Sequence, residues 1–352
     1  MRVIRPLHVV RVCTLLLGLG IFLPPPVTGA PQAAKKTTST AKKPAQKKYS
    51  ASSSAARKAR LARARAAARA REQARLRRLR ALQEAMTPRF KPNANGDMVP
   101  DVRAAAAIIF DPQTGQVLWE ENGQDQRSIA SITKVMTALV FLEDNPDLTQ
   151  VITIQRSDVY AASTTYLRAN ERVSLKNVLH LALIASDNAA ARALARLSHG
   201  GSAAFIERMN EKAIELGLES TAFADPSGLN PKNVSSAYDL SRLISLAAAD
   251  DRIAPIMRTA EYKVSTNRRT ITINNTNRLL LGGEVDVMGG KTGFISKAGY
   301  CLASLLRLPQ SNHQVAVVVL GATSNQGRFW ETRHLFNWLS QKAADLFTQD
   351  QE

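Results

Sequence analysis

The spacing of apolar positions divides the chain before any motif is considered. Near the start, Val12 to Leu23 form one apolar run broken only by Thr14 and two glycines, shorter than the roughly 20 residues that span a bilayer. Residues 31–55 show no period. Ala, Lys, Ser and Thr dominate there, with lysine pairs at 35–36, 42–43 and 47–48, and such a stretch cannot bury enough apolar surface to order itself. From 56 to 86 alanine and arginine alternate, and both are strong helix formers. Leu61, Leu76, Leu79 and Leu82 make only a thin apolar stripe, which predicts a solvent-exposed single helix. Pro88, Pro92, Gly96 and Pro100 then punctuate a linker.

Past residue 100 the pattern becomes that of a folded domain. Ala104 to Phe110 and Gln116 to Glu120 are β-prone runs around an Asp111-Pro112-Gln113-Thr114-Gly115 turn, which reads as a hairpin. Val135, Met136, Ala138, Leu139, Val140 and Leu142 recur with the period of a buried helix. Helical patterns return near 174–184, 188–198, 201–216, 236–248 and 326–346, and strand-like runs at 270–275, 284–289, 298–306 and 314–321. Strands at both ends with helices between them predict an α/β fold in which distant segments share one sheet. No internal repeat is present.

Charge sharpens the division. The 352 residues carry a formal net charge of +18, which alone would suggest a nucleic-acid binder. Its distribution excludes that for the folded part: residues 1–90 hold 21 Lys/Arg against two acids, whereas 91–352 hold 26 against 27. Arg2, Arg5 and Arg11 precede the apolar run, and Thr28-Gly29-Ala30 follow it, the layout of a secretory signal peptide over residues 1–30. An uncleaved N-terminal anchor is the alternative. Residues 31–97 then form a basic Ala/Lys/Arg-rich leader, disordered or helical. It is either a spacer or a module that binds anionic envelope polymers or headgroups by charge; an exported chain would meet no nucleic acid. Signal removal would take Cys13 and leave Cys301, whose Ala298-Gly299-Tyr300-Cys301-Leu302-Ala303 setting reads as strand interior and predicts an inert buried thiol.

Three short elements carry candidate chemistry: Ser131-Ile132-Thr133-Lys134, Ser186-Asp187-Asn188 and Lys291-Thr292-Gly293. Three apart on a helix, Ser131 and Lys134 share a face, so the amine can reach the hydroxyl. The hydroxyl needs a base, and a lysine serves only when neutral. At its ordinary pKa about one in two thousand is neutral at pH 7, so poising it near neutrality takes a shift of about three units, or ~4 kcal/mol. Burial and a nearby cation supply such shifts, and Lys291 is the expected cation. Ser39-Thr40-Ala41-Lys42 matches the same spacing by chance inside the leader. Ser186 can relay a proton between a lysine and a leaving amine, and Asn188 can orient Lys134 and the substrate backbone. The same three residue types are also good helix caps, the role expected of Asp187. On a strand, Lys291 and Gly293 face one side and Thr292 the other, so a cation and a hydroxyl meet near a glycine that permits close backbone approach. The backbone N–H groups of Ser131 and Phe294 can then form an oxyanion hole. A glycine-flanked hairpin is the bland alternative. The order of the elements and their separations of 55 and then 105 residues favour one shared pocket.

These elements resemble the S-x-x-K, S-D-N and K-T-G motifs of penicillin-binding proteins. Residues of roughly 98–346 are similar to the D-alanyl-D-alanine peptidase family of low-molecular-mass penicillin-binding proteins. The likeness extends to Arg127-Ser128-Ile129-Ala130, Asp225-Pro226-Ser227-Gly228-Leu229 with Asn233, Asn274 to Leu280, and Lys291-Thr292-Gly293-Phe294. It implies a β-lactamase/transpeptidase-like α/β fold: an antiparallel five-stranded sheet flanked by helices, with a mostly helical subdomain. It also implies a periplasmic serine peptidase that forms an acyl-enzyme on Ser131. Its catalytic residues would be Ser131, Lys134, Ser186, Asn188 and Lys291, with substrate held by Lys291, Thr292, Gly293 and Phe294. Peptidoglycan stem peptides would be the substrate and β-lactams covalent inhibitors, with no metal or cofactor. The Ser128-Ile129-Ala130-Ser131 and Asn275-Thr276-Asn277 wording, and the few residues after the last predicted strand, resemble the crosslink-cutting endopeptidase branch. Ser-Asp-Asn in place of Ser-Glu-Asn departs from that branch, and carboxypeptidase is the alternative. Two rivals from other classes are a β-lactamase, which would need a deacylating base for which Asp225 is the nearest candidate, and a non-enzymatic wall-binding protein.

Overall fold

The computed structural model describes residues 51–309 and 312–349. The apolar run, the cleavage pattern at 28–30 and the lysine pairs lie outside the described residues. Backbone contacts divide the chain into Met1–Ala67 and Ala68–Glu352. The described part of the first unit is helical, within α1 (Ala51–Met86). The second unit holds the remainder of α1 and every other element. No described helix is long and apolar enough to cross a membrane.

The stretch punctuated by prolines is a small hairpin, β1 (Phe90–Pro92) and β2 (Met98–Pro100). Its tight turn is held by the Asn93 carboxamide, which accepts from the Asn95 and Asp97 amides. The predicted hairpin follows as β3 (Ala106–Phe110) and β4 (Val117–Glu121). Then come β5 (Arg127–Ser128), α2 (Lys134–Glu143), β6 (Val151–Thr153), α3 (Arg156–Val159), β7 (Arg172–Ser174), α4 (Leu175–Ile184), α5 (Asn188–Leu197) and α6 (Gly201–Glu215). After these lie β8 (Val234–Ser235), α7 (Ala237–Ala249), α8 (Ala254–Arg258), β9 (Glu261–Ser265), β10 (Thr270–Asn274), β11 (Asp286–Ile295), β12 (Gly299–Arg307), β13 (Gln314–Ala322) and α9 (Gly327–Gln349).

The main sheet is antiparallel, five-stranded and ordered β11-β12-β13-β3-β4, as the resemblance implied. Distant segments share it because the central strands are apolar on both faces. Along β13, Ala316, Val318 and Leu320 enter one core while Val315, Val317 and Val319 enter the other, so its sequence runs apolar without alternation. The first core lies between the sheet and α2, α4, α5 and α7; the second lies under α9. Cys301 is fully buried in the first core, and burial pushes its thiol up to about 11.

One strand is longer than its sequence reading. The run predicted at 284–289 continues to Ile295 as β11, so Lys291-Thr292-Gly293 lies within it, at the sheet edge. Gly289 and Gly290 are close-approach positions rather than turn residues. A Cβ on Gly289 would meet Ala248 and Met257 at 2.9 Å, and one on Gly290 would meet the Asn277 Nδ2 at 2.6 Å.

The second core depends on one buried carboxylate. Glu331 of α9 accepts from the Arg103 amide through both oxygens at 2.9 Å and from the Ala104 amide at 3.2 Å. Glu331→Ala would leave these donors unpaired, at about 1–3 kcal/mol each. Urea unfolding should therefore show a loss of about 2–4 kcal/mol with an unchanged slope. Glu331→Gln keeps one acceptor and should lose less than half of that.

Candidate active site

Ser131 stands where β5 passes into α2. The pairing of β5 with β8 fixes the approach, and the Ile129 amide donates to the Asn233 carbonyl. Ala130 then turns into the left-handed region at φ +49°, a conformation costly for a side chain with a Cβ. A single 3-10 turn, Ala130–Thr133, leads directly into Lys134. Below it runs the Asp225–Leu229 loop. Thr137 donates to the Pro226 carbonyl at 2.6 Å, and Asn233 Nδ2 donates to Thr133 Oγ1 and the Asp225 carbonyl.

Lys134 is fully buried. Its Nζ lies 2.9 Å from Ser131 Oγ, 2.6 Å from Asn188 Oδ1 and 2.5 Å from the Ser227 carbonyl. The Asn188 amide is oriented by its own donation to the Ala162 carbonyl at 2.7 Å, so its oxygen faces the lysine. A neutral amine has two N–H donors and one lone pair. Asn188 Oδ1 and the Ser227 carbonyl can only accept, so they take both N–H groups and the lone pair faces the Ser131 hydroxyl. Burial lowers the Lys134 pKa to about 7, with Asp187 and Asp225 opposing and Arg192 assisting. Arg192 on α5 is thus a cation that was not expected there, beside Lys291, which Lys134 repels.

Ser186 reaches the site through a second left-handed residue, φ +59°. Its Oγ accepts from Lys291 Nζ at 2.8 Å. Asp187 is the N-cap of α5, accepting from the Ala190 amide at 2.9 Å, and it also holds Thr165 and the Tyr166 amide. That is the structural role its residue type predicted. Lys291 is buried, and no carboxylate among the described residues lies within ion-pair distance of its Nζ. Burial, then repulsion from Lys134 and Arg328, holds its pKa well below the ordinary lysine value. Thr292 Oγ1 meets Thr276 Oγ1 at 2.7 Å. Gly293 packs on the nucleophile turn, where a Cβ would stand 2.6 Å from the Ile129 carbonyl oxygen. Phe294 is half exposed and stacks on Tyr300 with centroids 4.3 Å apart.

All the residues singled out from the three elements therefore converge. Ser131, Ser186, Asn188, Thr292, Gly293 and Phe294 line one pocket of about 200 Å³, with the two lysines buried behind it. A larger cleft of about 490 Å³ near Phe110, Leu243 and Leu246 includes none of them. The arrangement holds a hydroxyl against a lone pair, a second amine against a relay hydroxyl, and a cationic strand edge. That suits acyl transfer through a serine ester. Among the described residues, no group of three His, Cys, Asp or Glu could hold a metal ion.

Four contributors were not assigned from sequence. The Ser227 carbonyl and Gly228 belong to a loop recognised only by its wording, although a Pro-Ser-Gly turn does signal a special backbone. Arg192 carried no signal. Arg328, also unsignalled, lines the pocket from α9, buried, donating to the Gly293 carbonyl at 3.0 Å and the Cys301 carbonyl at 3.2 Å. Burial holds its pKa down to about 10. Its charge beside the strand edge suits a carboxylate ligand. The Asp225 carboxylate is committed to its loop: it accepts from the amides of Ser227, Gly228 and Asn230 and from Ser227 Oγ. It is a clamp rather than a base.

Comparison with known proteins agrees with this geometry. Residues 93–324 match the S11 peptidase family, described as D-alanyl-D-alanine carboxypeptidase. A D-alanyl-D-alanine endopeptidase of Escherichia coli is 34% identical over 68% of this chain and 78% of its own length. One of Pseudomonas aeruginosa is 33% identical over 70% and 81%. The solved DD-transpeptidase of Streptomyces K15 superposes with a TM-score of 0.64 at 29% identity, over 68% of this chain and 97% of that one.

Gly228 offers a test of the packing beneath the nucleophile. Its φ is +82°, and a Cβ there would stand 2.1 Å from the Ala130 carbonyl oxygen and 2.8 Å from the Ser131 nitrogen. Gly228→Ala should slow reaction of Ser131 with a fluorophosphonate probe by about 10²-fold, the cost of displacing a reacting atom by about 1 Å, while far-UV circular dichroism stays native. An unchanged rate would show that the loop does not position Ser131.

Proposed function

Because the chain belongs to the D-alanyl-D-alanine carboxypeptidase family, we propose that it hydrolyses D-alanyl bonds of peptidoglycan stem peptides through an acyl-enzyme on Ser131. It is a serine DD-peptidase, and the reading favoured for it is a crosslink-cutting endopeptidase. The observation that carries the mechanism is the Lys134 geometry: its Nζ lies 2.9 Å from Ser131 Oγ with both N–H groups engaged elsewhere. Ser131 Oγ attacks the D-alanyl carbonyl carbon and its proton passes to Lys134. The oxyanion lies between the amides of Ser131 and Phe294. As the C–N bond breaks, Ser186, hydrogen-bonded to Lys291, relays to the leaving amine the proton held on Lys134, which returns Lys134 to its neutral form. Water then attacks the ester, and Lys134 takes its proton and passes it to Ser131 Oγ, which leaves as the hydroxyl. Lys291, Thr292 and Arg328 face the substrate carboxylate, and Gly293 and Phe294 hold its backbone along the edge of β11. β-Lactams acylate Ser131 in the same way.

Endopeptidase action is supported by the two relatives bearing that name; carboxypeptidase, the description of the family itself, is the second reading. The basic signal-like start of the chain supports export to the periplasm as a signal peptide over residues 1–30, a basic leader over 31–97 and a peptidase domain over 98–346. The leader's partners would be anionic envelope polymers.

Two experiments test this. With a crosslinked muropeptide dimer and a free pentapeptide, mass spectrometry should show the dimer converted to monomers and the pentapeptide intact, with Ser131→Ala inactive. Release of one D-alanine from the pentapeptide with the dimer uncut would make the enzyme a carboxypeptidase. The second test is pH. Lys134 must be neutral to accept a proton and its pKa is about 7, so acylation by a fluorescent penicillin should rise about tenfold per unit below that pH and level off above it. A flat profile between pH 5 and 8 would remove Lys134 as the base.

A further inference from the structure

The leader helix α1 carries charge that the catalytic machinery does not use. Its cations at 57–80 are ten arginines and Lys58, whereas the cations at 35–48 are all lysine. Each unit carries the property by itself. Residues 57–65 hold five cations and no acid, and 69–80 hold six arginines, with Glu72 and Glu84 the only acids up to Met86. Every side chain from 54 to 84 is exposed.

The arrangement limits what can bind. Successive residues rotate by about 100°, so the cations at 57–80 are spread all round the helix, while Leu61, Leu76, Leu79 and Leu82 make only a thin stripe. That stripe is too narrow a face to lie in a bilayer. Among the described residues the one ion pair within the helix is Glu72–Arg75, at 3.9 Å. Arg57, Arg60 and Arg63, and again Arg71, Arg75 and Arg78, are like charges at helical neighbour positions and repel. The neutralising charge must therefore come from outside. The C-terminal end of α1 is fixed within the second unit: Arg103 donates to the Glu84 carbonyl at 2.6 Å and to that of Ala85 at 3.4 Å. Residues 91–352, with 26 basic against 27 acidic residues, offer a polyanion little net attraction.

We propose that α1 binds the carboxylate-bearing wall polymer that the active site cuts, and so holds the enzyme on its insoluble substrate. This rests on the peptidase reading above, since every free D-alanyl stem ends in a carboxylate. Guanidinium forks pair with carboxylates bidentately. A repeating polymer lets many weak pairs act together through effective concentration, which a run of exposed guanidinium groups exploits and a compact pocket cannot.

The test uses the full chain and two variants, one with the five cations at 57–65 and one with the six arginines at 69–80 replaced by glutamine. Each is assayed on purified insoluble sacculi and on the soluble crosslinked dimer. At low ionic strength each variant should lose about tenfold in rate on sacculi and in co-sedimentation with them, because each multivalent contact set is removed. At about 1 M salt, where the Debye length is about 3 Å, the difference should vanish. Rates on the soluble dimer should stay within about twofold, since the pocket is untouched. Equal rates of wild type and variants on sacculi would overturn the proposal. So would retention of wild type on inorganic polyphosphate or anionic phospholipid vesicles but not on sacculi, which would assign the helix to a phosphate polymer or a bilayer. Charge-dependent sedimentation with no cleavage of the dimer would uphold the binding site and overturn the peptidase reading instead.

Discussion

The burial of Lys134 is the constraint to which the rest of the site answers. An ammonium there would need three acceptors and a counter-charge in contact, and the fold gives it the acceptors alone. It finds two carbonyl-type acceptors and one hydroxyl, with Asp187 and Asp225 acting only through space. Neutrality keeps every hydrogen bond without a buried charge, and it leaves the lone pair aimed at Ser131. Asn188 and the Asp225 loop are therefore not accessories to the lysine. They decide which of its faces carries the pair.

Holding that arrangement takes unusual backbone. Ala130, Ser163 and Ser186 all lie in the left-handed region without being glycine. Each is part of the nucleophile turn, the pocket wall or the relay. Such conformations persist only where neighbours over-determine them, and the close contacts of Gly228 and Gly293 with the Ile129–Ser131 backbone supply that pressure. Two segments about a hundred residues from Ser131 and farther thus clamp one turn. Both must be glycine for the same reason: the clamp is backbone against backbone.

This explains what could be read from the sequence and what could not. The sheet was legible because Ala106–Phe110 and Gln314–Ala322 are apolar on consecutive positions, the mark of strands buried on both faces. Ser131, Ser186 and Lys291 were legible because three chemically unlike elements had to share one pocket for any to make sense. The strand read at 284–289 stopped short of Ile295, since glycines spared for close packing at 289–290 carry no strand pattern. Arg192 and Arg328 could not be found at all. Each is one arginine among many on a helix, and its importance lies in where the fold puts its charge, near Lys134 for Arg192 and buried on the Gly293 carbonyl for Arg328, a tertiary fact with no local pattern.

The two lysines also set the terms on which the domain is stable. The Lys134 pKa lies near 7 in the folded protein against 10.5 for the free side chain. Between these values the unfolded chain binds the extra proton, so this group's contribution to stability rises with pH across that window and its penalty is fully present below 7. The shift corresponds to roughly 5 kcal/mol, comparable with the net stability of many domains. Lys291 is displaced in the same direction, with a hydroxyl and a backbone carbonyl as its partners in place of a carboxylate. Two apolar cores on either side of one sheet are what offset this cost. The folded part can therefore hold the Lys134 amine with its pKa lowered inside it, while the exposed cations of α1 stay in water.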